Sequence, residues 1–221
     1  MARDIGLSWM AAQCDAAEEL PVAELDCLAE EGPVAATARI ADRSVAAFGT
    51  EASLALWQDV RLLRDSPLSD EAIRTVWLGA TDHIFDPVRD GVSARDWLGR
   101  LEEAWLTAAR RTDPGLVLPT ARPVRDEAGR RAVLGVIHTV GPRLAFEAER
   151  HAYPLPLTGL VPALEQVTGD VCPGLGYRLF LRALKSYCVP VGRETVDALA
   201  SAGARFGLSP QYVQEELNLR L

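Results

Sequence analysis

The sequence predicts a mainly α-helical globular protein, a multi-helix bundle with one β-hairpin within about 116–140. Three observations carry that reading. Apolar residues recur at steps of three and four through most of the 221 residues. Proline and glycine interrupt those stretches where helices would stop. Several stretches open on a serine placed as an N-cap.

The first helix, 8–20, carries Trp9, Met10, Cys14 and Ala17 on one side and ends at Pro21. A short helix over 22–31 places Val22, Leu25, Leu28 and Ala29 on one face, and Gly32-Pro33 breaks it. Segment 34–48 has a stripe of Val34, Ala38, Ala41, Val45 and Phe48, with Gly49 suited to a left-handed stop. Helix 51–64 follows, with Leu54, Trp57, Val60 and Leu63 on one face. Ser69 caps a helix over 70–84 that carries Ile73, Val76, Trp77, Ala80 and Ile84. Ser93 and Asp96 are spaced as a capping box before helix 94–111, whose apolar face is Trp97, Leu98, Leu101, Trp105 and Ala108. Trp57, Trp77 and Trp97 recur every twenty residues, but that interval is too short for a two-helix repeat, so each reads as the core anchor of its own helix.

Residues 116–140 admit two readings. Val133, Ile137, Val140 and Leu144 keep a helical spacing, yet Gly129, Gly135 and Gly141 would each cost about 1 kcal/mol inside a helix. Strands over 116–124 and 131–140, joined by the turn Asp126-Glu127-Ala128-Gly129, suit the β-branched residues better, and the hairpin is preferred. The stretch from Arg122 to Arg130, followed by Val133-Leu134-Gly135-Val136, resembles the last hairpin of PAS-type sensor domains. The resemblance implies a hairpin and would allow a small-ligand sensor.

Helix 142–152 leads to a proline-rich stretch, 153–162, which reads as a boundary between a larger helical part, 1–152, and a smaller one, 153–221. Further helices follow over 159–168, 177–188, 193–206 and 210–220, with Ser209 and Pro210 at the cap and first position of the last.

Composition excludes several classes. The net charge of −8 disfavours binding that relies on neutralising nucleic-acid phosphates. The pair of helices around Gly207 has the outline of a helix-turn-helix, but Glu215 and Glu216 on its second helix would repel DNA. No apolar run approaches the roughly 20 residues of a membrane span, and the start lacks a secretory apolar region, so a cytoplasmic location is expected. Lys185 is the one lysine among 23 basic residues, a bias that reads as the coding habit of a high-GC bacterium. Cys14, Cys27, Cys172 and Cys188 form no metal or disulfide pattern; Cys14, Cys27 and Cys188 read as small buried hydrophobes. The sequence has no dinucleotide or P-loop glycine motif, no nucleophile elbow and no zinc-protease helix motif.

Three constellations are candidates for function. Asp82, His83 and Asp86 place carboxylates beside an imidazole, as proton transfer would need, although Asp86 and Asp90 also suit turns. Glu147 and His151, at i and i+4, have a spacing that can chelate a metal. His138, in the second predicted strand, reads as a satisfied buried histidine. The third is charge. Residues 1–33 hold eight acids (Asp4, Asp15, Glu18, Glu19, Glu24, Asp26, Glu30 and Glu31) against Arg3, a net −7 that leaves −1 for the remaining 188 residues. Residues 110–131 gather six arginines. The expectation is a non-catalytic interaction or regulatory protein whose acidic surface, through Glu18, Glu19, Glu24, Asp26, Glu30 and Glu31, docks a basic partner or a second copy. The alternative is a small-molecule enzyme with an inter-helix pocket, with or without a metal. No cofactor is legible.

Overall fold

Ten α-helices account for most of the residues described by the computed structural model, which are 6–16, 19–81, 83–121, 126–150 and 156–220. In chain order they are α1 (Leu7–Asp15), α2 (Val22–Glu30), α3 (Pro33–Arg64), α4 (Asp70–Leu78), α5 (Ala94–Thr112), α6 (Glu127–Arg150), α7 (Leu160–Gln166), α8 (Pro173–Ser186), α9 (Arg193–Ala204) and α10 (Pro210–Gln214). Two 3-10 turns cover His83–Phe85 and Pro87–Asp90, and a π turn, Val167–Val171, joins α7 to α8. Among the described residues there is no β-strand, and one isolated bridge links Val191 to Leu219. No helix there is long and apolar enough to cross a membrane.

The long α3 is the spine, and α5 packs along it more extensively than any other pair of elements. α3 consists of two helical stretches that meet at a kink. Gly49 sits at φ 77° and ψ 163° inside it, a conformation restricted to glycine, so the two stripes read on either side of it turn independently. The tryptophans meet across helices rather than along a repeat. Trp77 of α4 stacks on Trp97 of α5 with ring centres 4.7 Å apart, and Trp57 of α3 lies 6.3 Å from Trp105 of α5. Each of these four indole N–H groups finds an acceptor: Trp57 Nε1 donates to Glu102, Trp77 Nε1 to the Phe85 carbonyl, Trp97 Nε1 to Thr37 Oγ1 and Trp105 Nε1 to Ser53 Oγ. Buried Trp therefore fixes rotation about α3 as well as filling space.

The caps fall where serine predicts them. Ser69, Ser93 and Ser209 accept from the N–H groups of Ala72, Asp96 and Tyr212, and the Ser93 hydroxyl donates to the Asp96 carboxylate. α4 is shorter than its pattern: it stops at Leu78, Thr81 donates back to the Trp77 carbonyl, and the chain reaches His83 as a 3-10 turn.

The predicted hairpin is not formed. Residues 127–150 make the single helix α6, and 116–121 form neither helix nor strand; 122–125 lie outside the described residues. The helical stripe Val133, Ile137, Val140, Leu144 and Ala148 is buried throughout. Each of its larger members gains about 1.5–3 kcal/mol on full burial, which outweighs the glycine penalty. The glycines also have structural uses: a Cβ on Gly141 would stand 2.9 Å from Val161 of α7, so its absence lets α7 approach. His138 is on the exposed side of this helix, facing Glu165 at 3.2 Å, rather than buried in a strand.

α8 organises the C-terminal helices, with Leu175, Tyr177, Leu179, Phe180, Leu181, Ala183 and Leu184 all buried. α1 packs on both α3 and α8. Beneath it, buried Asp59 of α3 takes two bonds from Arg178 of α8, at 2.7 and 2.8 Å, and one from the Leu7 N–H at 2.8 Å, so one carboxylate pairs with α8 and caps α1. Cys14 and Cys27 are buried as read, but Cys188 is exposed, at φ 47° in the turn that ends α8.

Candidate functional site

The structure divides the acidic block. Glu24 is buried, and Arg43 of α3 binds both its oxygens at 2.6 and 3.0 Å. Arg43 in turn lies over the Trp9 ring. Asp15 pairs with Arg182 of α8, which also holds Glu216 at 2.9 Å. Glu31 pairs with Arg39 at 3.1 Å, both about half exposed. Glu19, Asp26 and Glu30 are exposed. Glu18 lies outside the described residues. Part of the charge read as a docking surface therefore serves to hold α1 and α2 on the body of the protein. The counter-ions come from α3 and α8, and from the segment 110–131 Arg111 pairs instead with Asp42.

α2 is turned in an unexpected sense. Its buried residues are Glu24 and Cys27, whereas Val22 is 72% exposed, Ala29 is exposed, and Leu25 and Leu28 are half-buried. Its apolar stripe thus lies along the margin of the core instead of inside it. The Arg43–Glu24 pair ties this side of α2 to α3, next to buried Cys27.

Opposite that stripe runs the chain from Ile84 to Asp90. Asp86 caps the second 3-10 turn by accepting from the Val88 N–H at 3.1 Å. Asp90 reaches across and accepts from the Val34 N–H at 2.9 Å, so it caps the start of α3 from a distance of 56 residues in sequence. Gly32, at φ 91°, leaves the space that the Asp90 carboxylate fills. Between this turn and α2 lies a groove of about 570 Å³. Leu25, Leu28, Ala29, Pro33 and Ile84 supply its apolar lining, Glu30, Glu31 and Asp90 its carboxylates, and Arg89 its guanidinium. Nη1 of Arg89 is engaged with the Ile84 carbonyl at 3.2 Å.

A second cavity, of about 470 Å³, lies on the other side of the same turn. Glu71, Arg74, His83, Asp86, Arg89 and Thr158 supply its polar groups, so Ile84 and Arg89 border both spaces. His83 Nε2 is 3.4 Å from the Tyr187 hydroxyl. Both oxygens of Asp86 are taken by Arg74, at 3.0 and 2.6 Å. Burial raises the Asp86 carboxyl, and the bonds from Arg74 and from the Val88 N–H more than offset it, leaving the pKa below its ordinary value. Asp86 is thus placed as an ion-pair partner and turn cap, with His83 beside it at the cavity edge; Asp82 lies outside the described residues. Glu147 is half-buried on α6, and His151 lies outside the described residues. Among the described residues no three of His, Cys, Asp and Glu gather closely enough to hold a metal ion.

Sequence reading found Glu30 and Glu31 but not the other wall. Ile84 read as a core residue of a longer helix and Asp90 as a turn residue, and nothing local to 83–90 points to α2. Comparison with known proteins adds no relative: no family model, no curated protein and no solved structure matches the chain.

Proposed function

We propose that this chain is a helical interaction protein whose acidic N-terminal surface docks a basic partner. The observation that carries the reading is the exposure of Glu19, Asp26 and Glu30 on and beside a helix whose other acids are tied to the protein's own arginines. Exposed like charges attract an oppositely charged partner and speed its approach. Glu24 is not part of the contact surface in this reading, because it is consumed inside.

The test uses a fluorescent oligo-arginine peptide as the probe, at low ionic strength. Charge reversal of Glu19, Asp26 and Glu30 together is expected to weaken binding by at least about tenfold, which is about 1.4 kcal/mol. Unchanged affinity in the reversed variant overturns the reading. A second reading, a small-molecule site, rests on the cavity beside His83. Its test is a fragment screen by NMR, where shifts centred on His83 and Thr158 would support it and an unperturbed cavity would end it.

A further inference from the structure

We infer that the groove between α2 and the Ile84–Asp90 turn is the seat of a basic amphipathic segment of a partner protein, and this rests on the acidic-docking reading above. The argument begins with the orientation of α2. A helix of nine residues with Val22, Leu25, Leu28 and Ala29 on one face would ordinarily bury that face, yet here Glu24 and Cys27 are the buried residues, Leu25 and Leu28 are half-buried, and Val22 and Ala29 face outward. The apolar side chains that remain accessible continue into the groove lining through Leu25, Leu28 and Ile84. Leu25, Leu28, Ala29 and Ile84 thus meet in one concavity, where a partner's apolar side chain can be covered from two sides.

Charge then selects the occupant. Glu30, Glu31 and Asp90 stand around the apolar lining against the single guanidinium of Arg89, and Glu31 is already met by Arg39. The balance is negative, so an acidic segment is repelled and a purely apolar one leaves the rim without compensation. Arginine and lysine meet both demands at once, because their aliphatic stems lie on apolar surface while their heads reach carboxylates. The volume, about 570 Å³, is that of a site for a few side chains rather than a whole domain face. The recognition mode that combines apolar anchors with flanking charge is an amphipathic segment laid into a groove.

The experiment compares three short labelled peptides by fluorescence anisotropy on the full chain: one alternating arginine with leucine on an amphipathic pattern, one with serine in place of leucine at equal charge, and one with glutamate in place of arginine. The arginine–leucine peptide is expected to bind at least about tenfold more tightly than the arginine–serine peptide. Ala29→Trp, an exposed position on α2 whose new ring would occupy the groove, is expected to abolish that difference while leaving the melting temperature and the arginine–serine binding unchanged. Equal binding of the two arginine peptides, insensitive to Ala29→Trp, overturns the groove and leaves the acidic surface standing. If neither arginine peptide binds, both readings fall. Tight binding of the glutamate–leucine peptide overturns the role of charge. Sedimentation of the chain alone supplies the last arm: a dimer that Ala29→Trp converts to monomer makes the occupant a second copy and overturns the assignment to a partner.

Discussion

Replacing Glu24 by alanine separates the acids that hold the structure from those proposed to dock a partner. In the wild type its two oxygens accept from Arg43 at 2.6 and 3.0 Å, and the Glu24 side chain is 7% exposed. Breaking a fully buried pair by removing one partner costs about 3–5 kcal/mol, because the other charge is stranded. Arg43 keeps 31% of its side chain exposed and can recover some hydration, which lowers the expected cost to about 2–3 kcal/mol. Glu24→Gln keeps the shape and one acceptor, so it should lose less, about 1–2 kcal/mol. Glu30→Ala, at an exposed site, should stay within about 0.5 kcal/mol of wild type. Urea denaturation followed by far-ultraviolet circular dichroism measures all three, with an unchanged slope required for the comparison. If Glu24→Ala is as stable as Glu30→Ala, Arg43 does not hold α2 by this contact.

Other consequences are open to measurement. Gly135→Ala, at an exposed position of α6 where a Cβ meets no atom within 4 Å, should stabilise by about 0.5–1 kcal/mol in thermal or urea melts; a loss of stability would argue against the helix. Thr37→Val leaves the Trp97 indole N–H without its acceptor and should cost about 1–3 kcal/mol, with a change in tryptophan fluorescence; a neutral effect would remove the α3–α5 bond. Burial, aided by Asp15, pushes the Tyr187 hydroxyl up to about 12 from an ordinary 10. Its stabilising share is therefore present below pH 10 and is lost as pH rises toward 12, so the alkaline fall in stability should shrink in Tyr187→Phe; an unchanged alkaline limb would refute this.

How much of this was legible depends on whether the information is local. Ser69, Ser93 and Ser209 act on N–H groups three residues away, so the cap and its target share one window of sequence. The tryptophans announced the core for a similar reason, since each sits on the apolar stripe of its own helix. α6 was misread because the cost of its glycines is visible locally, while the contact that offsets it, Val161 against Gly141, comes from another helix. The orientation of α2 was hidden in the same way. Its stripe shows which side is apolar, but the partner that ties Glu24 to α3 is Arg43, 19 residues further on. For the candidate site, Glu30 and Glu31 stood out as charge, whereas Ile84 and Asp90 join them only through the fold.

The hydrogen bond from Asp90 to the start of α3 has a consequence for the proposed recognition. α2 and α3 meet at Gly32, and the opposite wall of the groove ends in the residue that caps α3. The width of the groove is thereby fixed by a bond made before any ligand arrives. An occupant that needed a wider opening would have to uncap α3, at a cost of about 0.5–2 kcal/mol. One that fits the present width meets a preorganised surface and spends little of its binding energy on ordering the receptor. For the proposed occupant, the same bond would make selectivity a matter of side-chain girth as well as charge, since a segment too bulky for the gap would be refused by the stability of α3 itself.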